Sequence, residues 1–169
     1  MKHDVGIVTG SALDYILEQC GILTSIIDID WEKIHLLPCN GTQRYRRTNS
    51  GIERIAFNDM KKMIGKEVYN TIVSRLCYEQ TLVCANFTDL ELFGTFIQYR
   101  GSLLNWCPIG RDADGDDVAR EVFVKFDNET NFREQKIIEL NDWLTSANIA
   151  DLTITLELSN NFFISTHNI

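Results

Sequence analysis

The sequence predicts an α+β chain in which an antiparallel sheet with covering helices follows a short strand–helix–strand segment. Three observations predict it. Near the start, a β-branched run, a glycine turn and an amphipathic stretch succeed one another in the order from which α/β sheets are built. After Asn40-Gly41, strand-like pairs alternate with helical stretches. The run from Gly94 to Arg111 reads as a strand, a tight turn at Arg100-Gly101-Ser102, a second strand and a Pro-Ile-Gly-Arg exit loop.

Taken in order, Val5 to Val8 is the first strand, and Thr9-Gly10-Ser11 leads into a helix. Ala12, Ile16 and Leu17 recur there at helical spacing until Gly21 stops it. The turn has two readings: a phosphate site at a helix amino terminus, or a turn with an N-cap serine. Ile34 to Leu37 is a buried strand ended by Pro38. Thr42 to Arg47 and Ile52 to Ala56 flank Asn49-Ser50-Gly51, a hairpin signal. Asn58 is placed as the cap of a helix carrying Met60, Met63, Ile64, Val68, Ile72 and Leu76. Leu82 to Phe93 is ambiguous between states. After the acidic loop of Asp112, Asp114, Asp116 and Asp117 comes a helical region with Phe132, Ile137, Ile138, Leu140 and Trp143. Leu152 to Leu158 and Phe162 to Ser165, joined by Ser159-Asn160-Asn161, form the last strand pair.

Composition narrows the function classes. A chain of 169 residues with 44% hydrophobic content and two prolines is globular, long enough for one domain or a domain plus part of another. It has no apolar run of bilayer length and no signal-peptide pattern, so a membrane is not expected as a partner. Five cysteines without a C-x-x-C pair fit reduced thiols in a cytoplasmic protein. The sequons at Asn40, Asn86 and Asn128 are then chance matches. A net charge of −8 disfavours nucleic acid. The arginines cluster nonetheless, at Arg44, Arg46, Arg47 and Arg54 and again at Arg100, Arg111 and Arg120, which keeps a small anionic ligand in view. One hairpin arginine sits at the turn and one at the exit, so both are expected to face a ligand held at one end of the hairpin.

The Gly94–Arg111 run, with Thr95-Phe96-Ile97, Asn105 and Pro108-Ile109-Gly110-Arg111, resembles the sugar-phosphate-binding hairpin of eukaryotic-type phosphomannomutases. That pattern is close to G-T-F-I-E-x-R-N-G-x-x-N-x-S-P-I-G-R. Val5-Gly6-Ile7-Val8-Thr9-Gly10-Ser11 resembles the family's V-x-G-G-S strand and loop, and Leu37-Pro38-Cys39-Asn40-Gly41 its F-P-E-N-G junction. The family is a branch of the haloacid-dehalogenase superfamily. The resemblance therefore implies that residues 1–40 are part of a Rossmann-like core and residues 41–169 are the cap that grips the sugar phosphate.

By the same resemblance, Arg100, Arg111 and Arg120 bind the substrate phosphate. Asn131-Phe132-Arg133, similar to the family's N-I-R, sets the register for Arg120. A planar, permanently charged guanidinium suits the task, and surface salt bridges to Asp112, Asp114 or Glu121 are the structural alternative. Asn105 is a possible substrate contact or a structural sheet residue. Asn161 is a possible substrate contact replacing a serine of the family's I-S-F-D-V, whereas Phe163 stands where a carboxylate belongs. Thr9, Gly10 and Ser11 are the possible core phosphate loop.

No catalytic residue and no metal ligand is predicted. The family's D-x-D-G-T has no counterpart, because Asp28-Ile29-Asp30 is followed by Trp31 and Glu32. No cofactor is expected in this chain, and magnesium only in a complete parent enzyme. The resemblance implies a partial phosphomannomutase that binds a hexose phosphate and does not turn it over. The parent reaction would interconvert mannose 6-phosphate and mannose 1-phosphate through a phospho-aspartate, with a homodimer formed through the cap. A non-catalytic sugar-phosphate-binding or dimerisation module, or part of a related sugar phosphatase of the superfamily, are the alternatives.

Overall fold

The structure is a computed structural model that describes residues 3–21, 30–48, 50–156 and 161–166. The chain divides after Asp59 into two compact units. The described residues hold four α-helices and two four-stranded sheets, an α+β architecture.

In the first unit, β1 (Val5–Val8) and β2 (Ile34–Leu37) pair in parallel, with α1 (Leu13–Gln19) between them in the chain. Only a crossover connection allows that pairing, and α1 begins the crossover. Its Ile16 is buried against Ile34 and Leu36, which share one sheet face because alternate strand residues point the same way. The hairpin of β3 (Gln43–Thr48) and β4 (Gly51–Phe57) continues the sheet: His35 pairs with Arg46 and Leu36 with Tyr45. The unit boundary thus falls after this hairpin, whereas the family-based boundary lies before it, at Asn40. The physical reason is the antiparallel ladder that ties β3 to β2.

The second unit is an antiparallel sheet of order β5-β6-β8-β7, formed by Ile97–Tyr99, Leu103–Trp106, Phe162–Thr166 and Leu152–Leu156. One face carries Leu104, Trp106, Ile154, Phe162 and Ile164 into a single core with three helices. These are α2 (Met60–Asn86), α3 (Asp117–Thr130) and α4 (Phe132–Ser146). Trp106 enters this core with its indole satisfied: Nε1 donates to Gln80 Oε1 at 2.8 Å, while Gln80 Nε2 donates to the Pro108 carbonyl at 3.0 Å.

α2 is broken at Gly65, whose φ of 77° leaves the helical region. It then runs through the first part of the ambiguous Leu82–Phe93 segment, ending at Asn86. α3 is a helix the sequence reading did not separate from the acidic loop. Asp116 starts it by accepting from the Ala119 amide at 3.0 Å. Asn131, in the left-handed conformation, turns the chain into α4.

Glu79 of α2 is fully buried between two cations, Arg75 Nη2 at 2.6 Å and Lys136 Nζ at 2.7 Å. Burial opposes the Lys136 charge, but hydrogen bonds to Glu139 and Glu79 outweigh it and raise this ammonium above the ordinary lysine range. Among the described residues no helix is long and apolar enough to cross a membrane.

Candidate functional site

The face of the second sheet opposite the core carries polar groups. Strand register sets Gln98, Asn105, Phe163 and Thr155 side by side across the four strands. Arg100 lies two residues beyond Gln98 and so on the same face. Its backbone closes the turn, the Arg100 amide donating to the Leu103 carbonyl at 2.9 Å. Its side chain bends back over the sheet: Nε donates to Gln98 Oε1 at 3.2 Å, and Cζ sits 5.5 Å from the centre of the Phe163 ring. Gln98 and Phe163 flank Asn105 on either side, so these two contacts carry the guanidinium across β6 above Asn105. Arg100 is thus held by a cation–π contact to the Phe163 ring and by the hydrogen bond of its Nε to Gln98.

Asn105 is fully buried, and neither its Nδ2 nor its Oδ1 has a hydrogen-bond partner. An unmatched buried amide of this kind costs about 1–3 kcal/mol. Its neighbours on the same face, Leu103 and Phe163, are buried and apolar, so an apolar side chain would suit the fold better at this position.

Arg111 is held at the other end of the hairpin. Its amide donates to the Thr95 carbonyl at 3.3 Å, and the Phe93 amide donates to the Ile109 carbonyl at 2.8 Å. Thr95 Oγ1 donates to Asp112 Oδ2 at 3.2 Å. The backbones of Arg100 and Arg111 stand at opposite ends of the ladder, because Arg100 belongs to the closed turn and Arg111 to the open side. Arg111 opens a short 3-10 helix, Arg111–Gly115, and Arg120 lies in the first turn of α3 just beyond it.

Asn161 is buried immediately before β8. Thr9, Gly10 and Ser11 form a tight loop at the carboxyl ends of β1 and β2. The Asn40 amide donates to the Thr9 carbonyl at 2.8 Å and the Cys39 amide to the Ser11 carbonyl at 2.9 Å. The N-cap serine reading is corrected, since Ala12 is the cap residue and no side chain caps the helix. The Ser11 amide instead donates to Thr9 Oγ1 at 3.2 Å. Of the Asp28–Asp30 pair, Asp28 lies outside the described residues, and Asp30 pairs with Lys33 at 2.9 Å. Among the described residues no three histidine, cysteine or acidic side chains converge as metal ligands would.

Sequence reasoning missed Gln98 as the partner of Arg100. Its two-residue spacing on a strand was the signal available. Phe163 was noted only as a departure from a family pattern, not as the surface on which Arg100 rests.

The eukaryotic phosphomannomutase family model matches residues 1–164. The phosphomannomutase of Spinacia oleracea is 31% identical over 139 residues, covering 82% of this chain and 50% of that protein. That of Solanum lycopersicum is 30% identical over 153 residues, covering 86% of this chain and 52% of its own length. The chain spans about half the length of the curated relatives it matches. A solved C-terminal domain of the Candida albicans trehalose synthase regulatory protein aligns over 96% of this chain and 44% of its own. With 15% identity and a TM-score of 0.44, that likeness carries no argument. The match over nearly the whole sequence does: the chain belongs to the eukaryotic phosphomannomutase family.

Proposed function

We propose that this chain binds a hexose phosphate on the polar face of its second sheet, with Arg100 as the phosphate contact on that face. The observation that carries the reading is the seating of Arg100 across Gln98, Asn105 and Phe163, which holds a permanently charged fork over an unmatched amide. Arg111 and Arg120 supply a second group of cations beside the 3-10 helix, suited to the same anionic ligand or its far end. Asn105 and Asn161 are the polar groups assigned to the sugar. The Thr9–Ser11 loop belongs to this proposal as the core phosphate loop of a complete family member, as does the division into a core through residue 40 and a cap from residue 41.

The reaction of such a member would be the interconversion of mannose 6-phosphate and mannose 1-phosphate. Phosphoryl transfer needs an in-line nucleophile and charge neutralisation. The sequence offers no D-x-D-G-T aspartate for the first, and magnesium would be a property of the complete enzyme. The 169 residues by themselves are therefore expected to bind and not to turn over.

Calorimetric titration with mannose 1-phosphate tests the reading. Arg100→Ala is expected to weaken binding by about 1.5–3 kcal/mol, the range for a charge-assisted phosphate contact. Arg111→Ala is expected to weaken it as well. Equal affinity of wild type and both variants would sink the proposal.

A dimerisation module is the second reading, and one observation favours it: Val118, Val122 and Val124 of α3 are exposed, Val118 by 71%. Of the large apolar residues between Met60 and Leu76, by contrast, only Met63 is exposed. A Val118→Asp variant that converts a dimer to a monomer in light scattering would support it.

A further inference from the structure

We propose that Lys61 is the latch of a strap. Residues 60–64 are held down on the second unit by its ammonium, and they pivot at Gly65 when that contact opens.

Gly65 divides α2 into one short turn, residues 60–64, and a long helix, residues 66–86. Its φ of 77° and ψ of 163° lie outside the helical region. A Cβ at this position would meet nothing within 4 Å, so the glycine serves the backbone angle and not close packing. A single residue that absorbs such a change in φ and ψ is what a hinge requires. One helical turn has little stability of its own, so the short piece depends on what fastens it.

The fastening is on both sides of Lys61. The Met60 side chain is fully buried, and its amide donates to the Gly101 carbonyl at 3.0 Å, in the turn between β5 and β6. Thr166 Oγ1 of β8 donates to Met63 Sδ at 3.8 Å. Between them, Lys61 Nζ lies 4.1 Å from the centre of the Tyr99 ring and 4.5 Å from that of Tyr69. The two rings meet edge to face, 5.5 Å apart at 77°. Tyr69 belongs to the long helix and Tyr99 to β5, at the edge of the second sheet. One ammonium therefore ties the short turn to the helix beyond the glycine and to the sheet.

This contact depends on charge where the burial of Met60 does not. A ring face attracts a cation through its quadrupole, and an apolar chain of the same length gains no such attraction. Lys61 is also exposed. Opening returns its ammonium to water instead of stranding a charge in the interior, so the latch is reversible. When it opens, residues 60–64 join the chain that leads into the second unit, and the Gly101 carbonyl loses its donor.

Residue-resolved amide exchange of the 169-residue chain tests the strap in wild type, Lys61→Met and Lys61→Arg. Methionine keeps an apolar stem and removes the charge, whereas arginine keeps a cation that can lie on the rings. The Met60 amide is expected to exchange about tenfold faster in Lys61→Met, the worth of two exposed cation–π contacts. In Lys61→Arg it should exchange at the wild-type rate. The amides of Ile72 and Leu76, beyond the pivot, should be unchanged in both variants. Equal Met60 rates in wild type and Lys61→Met overturn the proposal. So does an acceleration in Lys61→Arg as large as in Lys61→Met. An acceleration shared equally by Ile72 and Leu76 is general loosening and overturns it too. Should Lys61→Met fail to fold, the wild-type proton spectrum decides. The Lys61 side-chain methylene next to the ammonium is expected upfield of its usual position, shielded by the two rings, and an unshifted resonance overturns the latch.

Discussion

Gly110 stands against Gly94 so closely that a Cβ at position 110 would lie 2.1 Å from the Gly94 carbonyl oxygen. The same atom would lie 2.7 Å from the Gly94 amide nitrogen, and Gly110 itself has a φ of 96°. Backbone cannot swing aside as a side chain can, and the left-handed φ adds strain for any larger residue. The pair fastens the exit loop, and Arg111 with it, to the entry of the hairpin. Gly110→Ala is expected to destabilise the fold by about 3 kcal/mol or more. For a chain of this size that is a fall in Tm of roughly 6–12 °C, read by calorimetry.

The buried Glu79 gives a second prediction. Removing one partner of a buried charge pair strands the others, at about 3–5 kcal/mol. Glu79→Ala leaves Arg75 and Lys136 with Glu139 as their remaining carboxylate, 2.6 Å from Arg75 Nη2, so chemical denaturation should show a loss at or below the lower end of that range. A loss below about 1 kcal/mol would mean the cations are already well solvated.

Lys136 sets the direction of one pH effect. Its folded-state pKa is raised, so its contribution is fully present below the unfolded lysine value of about 10.4 and is lost as pH rises through the higher folded value. Melting curves from pH 7 to pH 9 should show no change from this group. Above that window wild type should lose stability faster than Lys136→Met. Parallel slopes for the two proteins would contradict the assignment.

Gln80 bridges Trp106 and the Pro108 carbonyl, both in the interior. Gln80→Leu leaves an indole N–H and a carbonyl oxygen unmatched, at about 1–3 kcal/mol each. Trp106 reports the change directly, since its fluorescence should alter along with the denaturation midpoint. An unchanged midpoint would mean water enters to replace the glutamine.

Arg100→Lys is expected to behave like Arg100→Ala in ligand binding. Lysine keeps the charge but has neither a planar face to rest on Phe163 nor a fork for phosphate oxygens. Titration of the three proteins side by side distinguishes a demand for geometry from a demand for charge. Wild-type affinity in the lysine variant would show that charge suffices.

The strands were legible where alternation and turn residues agree: Val5–Val8, Ile34–Leu37, the hairpin around Ser50-Gly51 and the turn at Gly101. α3 was not, because Val118, Val122 and Val124 are β-branched and read against a helix, while its buried stripe of Ala119, Phe123 and Asp127 is thin. α2 ran further than its apolar spacing announced, its later turns held by Gln80 and Val83 inside the core. For the site, sequence gave the arginines in order but not the end of the hairpin to which each belongs, since strand register decides that. The unmatched state of Asn105 is a property of three neighbouring strands and has no sequence signature.

The place of β8 bears on how the second unit is made. β6 has β5 on one flank, its neighbour in the chain, but on the other it waits for β8, with Leu103 opposite Ser165. During synthesis the hairpin is complete long before its second partner leaves the ribosome. Until then Leu104 and Trp106 have no β8 beside them, and one ladder of β6 is bare. Pairings this distant in sequence fold slowly and expose strand edges meanwhile. Ribosome-stalled chains ending near Asn148 should accordingly remain protease-sensitive across the hairpin, while chains extended past Thr166 become resistant.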